Sequence, residues 1–259
     1  MRARGKEIDL ADWPVAILAG GLSTRLRPTT DKIPKALLSV AGEPFLIHQL
    51  RLLHSQGLRR IVLCLGYLGE MIKAKLGDGR SLGVKIGYSF DGPILLGTGG
   101  ALKRALPKLG EQFLAIYGDS YMPADYAAIV EAFVLSRKPA LMTVFENEGR
   151  WDASNVWFEA GEIHRYDKKL RTAEMRHIDY GIAVLSAEIF ASFPDDPAFD
   201  LADVYSRLVS EKQMAAYEVK QRFFEIGADI HFSDITSPAL SAGASLVTIT
   251  PEKISFITI

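Results

Sequence analysis

The 259-residue chain has a single cysteine, scattered histidines and almost no charge excess. Thirty Lys and Arg stand against 31 Asp and Glu, for a formal net charge of −1. One cysteine excludes an internal disulfide and fits a cytoplasmic setting. Cys64 lies inside Ile61-Val62-Leu63-Cys64-Leu65, which predicts a small core residue rather than a nucleophile. Balanced charge supplies no basic field for nucleic acid. Charged residues interrupt every apolar run before it reaches a membrane span. Met1–Trp13 is charged and lacks the apolar stretch of a signal peptide. His48, His54, His164, His177 and His231 make no zinc pair with a third ligand. Repeats, low-complexity tracts and linkers are also missing.

What remains is an ordinary globular composition, with 48% hydrophobic and 24% charged residues. The first half alternates strand and helix signals. Strands are expected at Pro14–Ala19, Arg60–Gly66, Val84–Phe90, Gln112–Tyr117 and Ala140–Glu146. Helices are expected at Pro44–Gln56, Glu70–Leu76, Gly99–Leu106 and Ala124–Ser136. This order predicts an α/β fold, a Rossmann-like mixed, mainly parallel sheet flanked by helices. Ligands in such sheets bind beyond the carboxyl ends of the strands. The second half reads as strands Asn155–Glu159 and Glu162–Tyr166 around a turn at Ala160-Gly161. Strand Ile178–Leu185, helix Leu201–Ser210 opened by Asp200, and short strands Met214–Val219 and Arg222–Ile226 follow.

The richest stretch follows the first strand: Ala19-Gly20-Gly21-Leu22-Ser23-Thr24-Arg25-Leu26-Arg27-Pro28, then Ile33-Pro34-Lys35. Glycines allow the backbone N–H groups of such a loop to approach one anion closely. Arg25 can fork onto phosphate oxygens, and Lys35 adds a point charge. A nucleotide is therefore the expected substrate. The string is neither a Walker loop nor a Gly-x-Gly-x-x-Gly fingerprint. A second glycine string, Leu95-Leu96-Gly97-Thr98-Gly99-Gly100, opens a helix where N–H groups are free. Asp119 ends a strand after Gly118, where an acid can hold a divalent cation. The same place also suits a turn or capping aspartate.

These strings resemble the signature of the sugar-1-phosphate nucleotidyltransferases: Gly-Gly-x-Gly-Thr-Arg-Leu-x-Pro followed by Pro-Lys. The resemblance covers about residues 14–230 and implies the nucleotide-diphospho-sugar transferase, GT-A-like fold. One departure is Ser23 in place of a third glycine. A left-handed Ser23 would cost about 1 kcal/mol. The resemblance implies nucleotide contacts from Ala19, Gly20, Gly21, Ser23 and Thr24, and base and ribose contacts from Gly97, Thr98 and Gly99. It implies catalytic roles for Arg25 and Lys35, and Mg²⁺ on Asp119 and Glu225. Glu225 replaces the family's aspartate, lengthening the reach by one methylene. Asp167 and Lys168 resemble an acid–lysine pair that contacts the sugar and its phosphate. Asp179 and Gly181 resemble an Asn-x-Gly element near the sugar. Without the family, these charges read as solvated strand ends.

The implied organisation is an extension over 1–13, one domain over 14–230, and a tail over 231–259. Within the domain, 14–150 would take the nucleotide and 151–230 the sugar phosphate. The tail is apolar at Leu246–Thr250 and Ile254–Ile259. It suits edge pairing or a homo-oligomer contact as well as a frayed terminus. The implied partners are a nucleoside triphosphate and a sugar 1-phosphate, with pyrophosphate as co-product. Gly66–Glu70 and Gly118–Tyr121 resemble manno-heptose-1-phosphate guanylyltransferases, which favours GTP and a manno-configured sugar. Gly77–Gly83, Tyr88-Ser89 and Thr98–Gly100 resemble N-acetylmuramate-1-phosphate uridylyltransferases. Phosphocholine cytidylyltransferases are a further neighbour, and a non-catalytic nucleotide-sugar sensor is the alternative from another class.

Overall fold

The structure, a computed structural model, describes residues 8–26, 28–147, 153–193, 198–226, 246–250 and 253–257, with the backbone alone at Arg25 and in the last two segments. Nine strands form the main sheet. They are β1 (Pro14–Leu18), β2 (Arg60–Leu65), β3 (Lys85–Phe90), β4 (Gln112–Tyr117), β5 (Ala140–Glu146), β6 (Val156–Glu159), β7 (Glu162–Tyr166), β8 (His177–Ser186) and β9 (Met214–Val219). Five helices join them: α1 (Phe45–Ser55), α2 (Gly69–Leu76), α3 (Gly97–Leu109), α4 (Tyr126–Ser136) and α5 (Leu201–Ser210).

The strand order is β7-β6-β8-β4-β1-β2-β3, with β5 joining β8 and β9 joining β5. The strands β3-β2-β1-β4 are all parallel, whereas β8 runs antiparallel to β4 and β5. The sheet is thus mixed, with its parallel part in the first half. From β1 the chain moves outward to β2 and β3, then returns to β4 on the opposite side of β1. That reversal leaves the loops after β1 and β4 free to diverge, which makes a crevice at their carboxyl ends.

Alternation along the buried strands explains the layers. Val15 and Ile17 of β1 point to one core, and Ala16 to the other. Leu114 and Ile116 of β4 likewise oppose Phe113 and Ala115. The first core takes Leu50 of α1, Ile72 of α2 and Ile129 of α4. The second takes Leu102 of α3 and Val204 of α5. A period of two on strands meets a period of 3.6 on helices, giving a helix–sheet–helix sandwich. Cys64 is 1% exposed in the second core. Burial, aided by the Asp91 charge, pushes its thiol up to about 12, as expected of a core residue rather than a nucleophile.

Several ends differ from the expectation. α3 begins two residues earlier, at Gly97, and continues through Pro107 to Leu109. Pro107 removes a ladder bond only in the last turn, and Gly110 N–H closes the helix onto the Leu106 carbonyl at 2.9 Å. Only Phe224–Glu225 of the expected strand 222–226 is extended. In the tail, Leu246–Thr250 pairs antiparallel with Lys253–Ile257; residues 231–245 lie outside the described residues. No helix among the described residues is long and apolar enough to cross a membrane.

Candidate active site

The glycine loop leaves β1 and lies against the turn after β2. A Cβ on Gly20 would sit 2.7 Å from Gly66 N, and one on Gly66 would sit 2.6 Å from Gly20 O. Both positions therefore require glycine for the two backbones to touch. Gly21 has open space within 4 Å. Neither Gly20 nor Gly21 has positive φ; the left-handed residue is Ser23, at φ 48°. The family's missing third glycine thus falls at the one left-handed position among the loop's described residues. Ser23 O is held there by the Thr30 hydroxyl at 2.9 Å and Leu26 N–H at 3.1 Å. Thr24 and Arg25 enter a short 3₁₀ turn over Thr24–Leu26; the Arg25 side chain lies outside the described residues.

One cleft collects Ala19, Gly20, Gly21, Ser23, Lys35, Gly97, Thr98, Tyr117 and Asp119 among its walls. Lys35 Nζ lies 2.7 Å from Asp119 Oδ2, with side chains 16% and 34% exposed. Asp119 is delivered by close packing: a Cβ on Gly118 would sit 2.9 Å from that of Ala19. Beyond it, Ser120–Tyr121 pairs antiparallel with Phe224–Glu225, and Glu225 faces Ser120 in register. The Ser120 hydroxyl lies 3.1 Å from Glu225 Oε1 and 3.4 Å from Asp119 Oδ1. Two acids 106 positions apart in sequence are therefore within reach of one hydroxyl.

That donor set suits Mg²⁺. The ion takes one or two carboxylates and fills its remaining positions with phosphate oxygens and water. Among the described residues no group of three or more His, Cys, Asp or Glu could hold a metal ion.

The Gly97–Gly100 segment corrects one expectation. Two of its N–H groups are taken: Gly99 and Gly100 donate to Phe199 O at 3.1 and 3.3 Å. A Cβ on Gly99 would meet the Phe199 ring at 2.4 Å. The close approach at Gly99 is therefore to Phe199, just before α5, and Gly99 is not among the residues that wall the cleft. Gly97 (φ 71°) and Thr98 do line it.

Asp179 and Gly181 sit on a bulge of β8. Asp179 pairs with Val144 and Ala183 with Met142, so extra residues are inserted between them. Gly181 adopts φ 100°. The buried Thr143 hydroxyl donates to Ile182 O at 2.6 Å and accepts its N–H at 3.2 Å, stabilising the bulge. Asp179 Oδ1 accepts Gly181 N–H at 3.0 Å. Burial raises the Asp179 carboxyl, offset in part by Lys168 and the Gly181 N–H. Asp167 and Lys168 follow β7 at the same end of the sheet.

Sequence reasoning missed Gln49, Asp91 and Tyr117. Gln49 is 1% exposed on α1, and its Nε2 donates to Tyr117 O and Ser120 O, both at 2.7 Å. It clamps the turn that carries Asp119. A polar residue on the apolar face Leu46-Gln49-Leu50-Leu53 was the available signal. Asp91 lines the cleft at the end of β3, 7% exposed, and accepts Leu96 N–H at 3.2 Å. Burial raises its carboxyl against that hydrogen bond and the Arg104 charge.

The family model described as Nucleotidyl transferase matches residues 15–152. An N-acetylmuramate alpha-1-phosphate uridylyltransferase of Neisseria meningitidis is 43% identical over 113 residues, 43% of this chain and 49% of the relative. The chain thus spans about half the length of that relative. One from Caulobacter vibrioides is 28% identical over 221 residues, covering 82% of this chain and 90% of the relative. The crystal structure of HddC from Yersinia pseudotuberculosis complexed with GMP-PN superposes with TM-score 0.68 at 26% identity, over 83% of this chain and 94% of HddC. The family match runs over more than half of the sequence and takes in the glycine loop, Lys35 and Asp119, and the chain belongs to the nucleotidyl transferase family.

Proposed function

We propose that the chain joins a nucleoside triphosphate to a sugar 1-phosphate, releasing pyrophosphate and forming a nucleoside-diphosphate sugar. The observation that carries this reading is that Lys35 and Asp119, which wall the glycine-loop cleft, meet each other and, through the Ser120 hydroxyl, Glu225. A phosphate oxygen of the acceptor attacks the α-phosphorus. The bond from that phosphorus to the α–β bridging oxygen breaks, and pyrophosphate leaves with the electron pair. The nucleophile is already ionised near neutral pH, so no general base is needed. Positioning and charge neutralisation carry the rate.

Ala19, Gly20, Gly21, Ser23 and Thr24 would hold the triphosphate on the loop. Arg25 would neutralise the departing pyrophosphate. Lys35 would exchange its contact with Asp119 for the reacting phosphates. Lys168, Asp179 and Gly181 would take the acceptor. Asp119 and Glu225 would hold Mg²⁺, which, when bound, offsets phosphate charge.

We favour GTP and a manno-configured acceptor. An ionised Asp91 in the cleft is acceptor-only. It suits guanine, whose N2 amino group is a donor that uracil lacks. UTP with N-acetylmuramate 1-phosphate is the second reading, favoured by the 43% identity with the Neisseria relative. A four-nucleotide by acceptor panel, followed by mass analysis of the product, tests both. A product containing GMP supports the first and one containing UMP the second. Nucleotide binding with no product from any acceptor contradicts both and favours a sensor.

A further inference from the structure

Helix α1 touches the segments of both Lys35 and Asp119. Its first residue, Phe45, donates its N–H to Leu38 O at 2.9 Å, and Leu38 N–H closes the short turn of Lys35 by donating to Lys35 O at 3.1 Å. One helical turn on, Gln49 reaches the Asp119 turn. Its Nε2 donates to Tyr117 O and Ser120 O, the carbonyls on either side of Gly118-Asp119, both at 2.7 Å. Both acceptors are carbonyls, so only the NH₂ end of the amide can face them. Asp119 O in turn accepts Ile226 N–H at 3.0 Å, beside Glu225.

A small apolar cluster supports the same segments. Phe45 is buried with Leu38 and Ile226, and Leu26 and Tyr121 pack against them. Leu26 follows Arg25, Leu38 comes shortly after Lys35, Tyr121 shortly after Asp119, and Ile226 follows Glu225. The segments that carry the four charged groups therefore share one support, based on α1. Within that helix Gln49 is not the residue that packing alone selects. It is buried beside Leu46, Leu50 and Leu53, and its Oε1 has no hydrogen-bond partner among the described residues. An apolar side chain would avoid the cost of that unpaired oxygen. What offsets the cost is the amide's pair of N–H groups, both spent on the Asp119 turn.

We propose that Gln49 is a positioning residue for the metal-binding carboxylate of Asp119. Its amide holds the turn that places this carboxylate 2.7 Å from Lys35 Nζ and within reach of the Ser120 hydroxyl, which also meets Glu225. Gln49 is not among the residues that wall the cleft, so it acts through the carboxylate and not on the substrate. The assignment rests on the function proposed above. Gln49→Met keeps the length of the side chain and removes both donors.

The test is a double-mutant cycle of Gln49→Met and Asp119→Asn, read by Mg²⁺-dependent pyrophosphate release. Mn²⁺ affinity, from electron paramagnetic resonance, and melting temperature are measured beside it. Leu53→Val, one turn further along α1, controls for lost helix packing. Turnover and Mn²⁺ affinity are each expected to fall about tenfold in Gln49→Met, as for other groups that orient a metal ligand. Adding Gln49→Met to Asp119→Asn is expected to lower turnover by less than about twofold further, because the carboxylate it positions is already gone. Leu53→Val is expected to melt lower while keeping wild-type turnover and Mn²⁺ affinity. Should Gln49→Met not fold, Gln49→Asn, which keeps the amide but shortens its reach, takes its place with the same expectations. Wild-type turnover and Mn²⁺ affinity in Gln49→Met overturn the assignment. So does an equal fold-loss of turnover in the two backgrounds, which marks a purely structural role. Wild-type protein that binds Mn²⁺ but releases no pyrophosphate with any nucleotide and sugar phosphate overturns the reading beneath, and the Mn²⁺ titration then decides on Gln49 alone.

Discussion

Lys35 Nζ rests 2.7 Å from Asp119 Oδ2, so the lysine of the Pro-Lys string occupies the carboxylate assigned to the metal. A cation on Asp119 would compete with that ammonium for the carboxylate charge. Lys35→Met is therefore expected to bind Mn²⁺ more tightly in the absence of nucleotide. A partly exposed ion pair of up to about 1 kcal/mol limits the gain to about two- to fivefold. Turnover should fall at the same time by on the order of 100-fold, because a charge at the reacting phosphates is lost. Titration of Mn²⁺ by electron paramagnetic resonance checks the first part, and unchanged affinity contradicts it.

Gly20 and Gly21 separate packing from ligand approach. Gly21→Ala meets nothing within 4 Å and needs no positive φ. Its melting temperature should match the wild type, and its KM for the nucleoside triphosphate should rise if phosphates come that close. Gly20→Ala strikes Gly66 backbone at 2.7 Å and should lose stability on the order of 1–3 kcal/mol. Thermal melts and nucleotide KM values, read together, check the pair.

Ser23 holds φ 48°. Glycine accepts that conformation freely, whereas a β-branched side chain there is an outlier. Ser23→Val should be about 1–3 kcal/mol less stable than Ser23→Gly. Equal urea midpoints would show that the loop relaxes out of the left-handed region.

Asp91 makes stability depend on pH. Its folded carboxyl is raised, chiefly by burial, above the unfolded value of about 3.9. An acid raised on folding costs stability once the folded group is ionised. The cost fades as pH falls through the folded pKa and is gone below the unfolded one. Asp91→Asn should therefore melt higher than wild type at pH 7, with the gain shrinking as pH falls toward 4. Differential scanning calorimetry across that range checks the sign.

The periodic elements were legible because burial is two-sided. Val15-Ala16-Ile17 and Phe113-Leu114-Ala115-Ile116 alternate between two cores, so apolar runs with glycine ends mark them well. The strand Ala140–Glu146 and the helix Leu201–Ser210, opened by its Asp200 cap, match their expected bounds. The cleft walls that the two glycine strings form were legible by motif. Long-range partners were not. Nothing local in Phe224-Glu225 tells that it pairs with Ser120–Tyr121. Phe199 gives no sign that its carbonyl takes the N–H groups of Gly99 and Gly100. Asp200 read only as a cap, because its contact with Thr98 spans 102 positions.

The most direct test of the account is Mg²⁺-dependent pyrophosphate release, measured with and without a sugar 1-phosphate, in the wild type and in Asp119→Asn. The account predicts release only when both substrates are present, and a fall on the order of 10²–10³ in Asp119→Asn with folding intact. Release that ignores the sugar phosphate, or that survives Asp119→Asn unchanged, contradicts it.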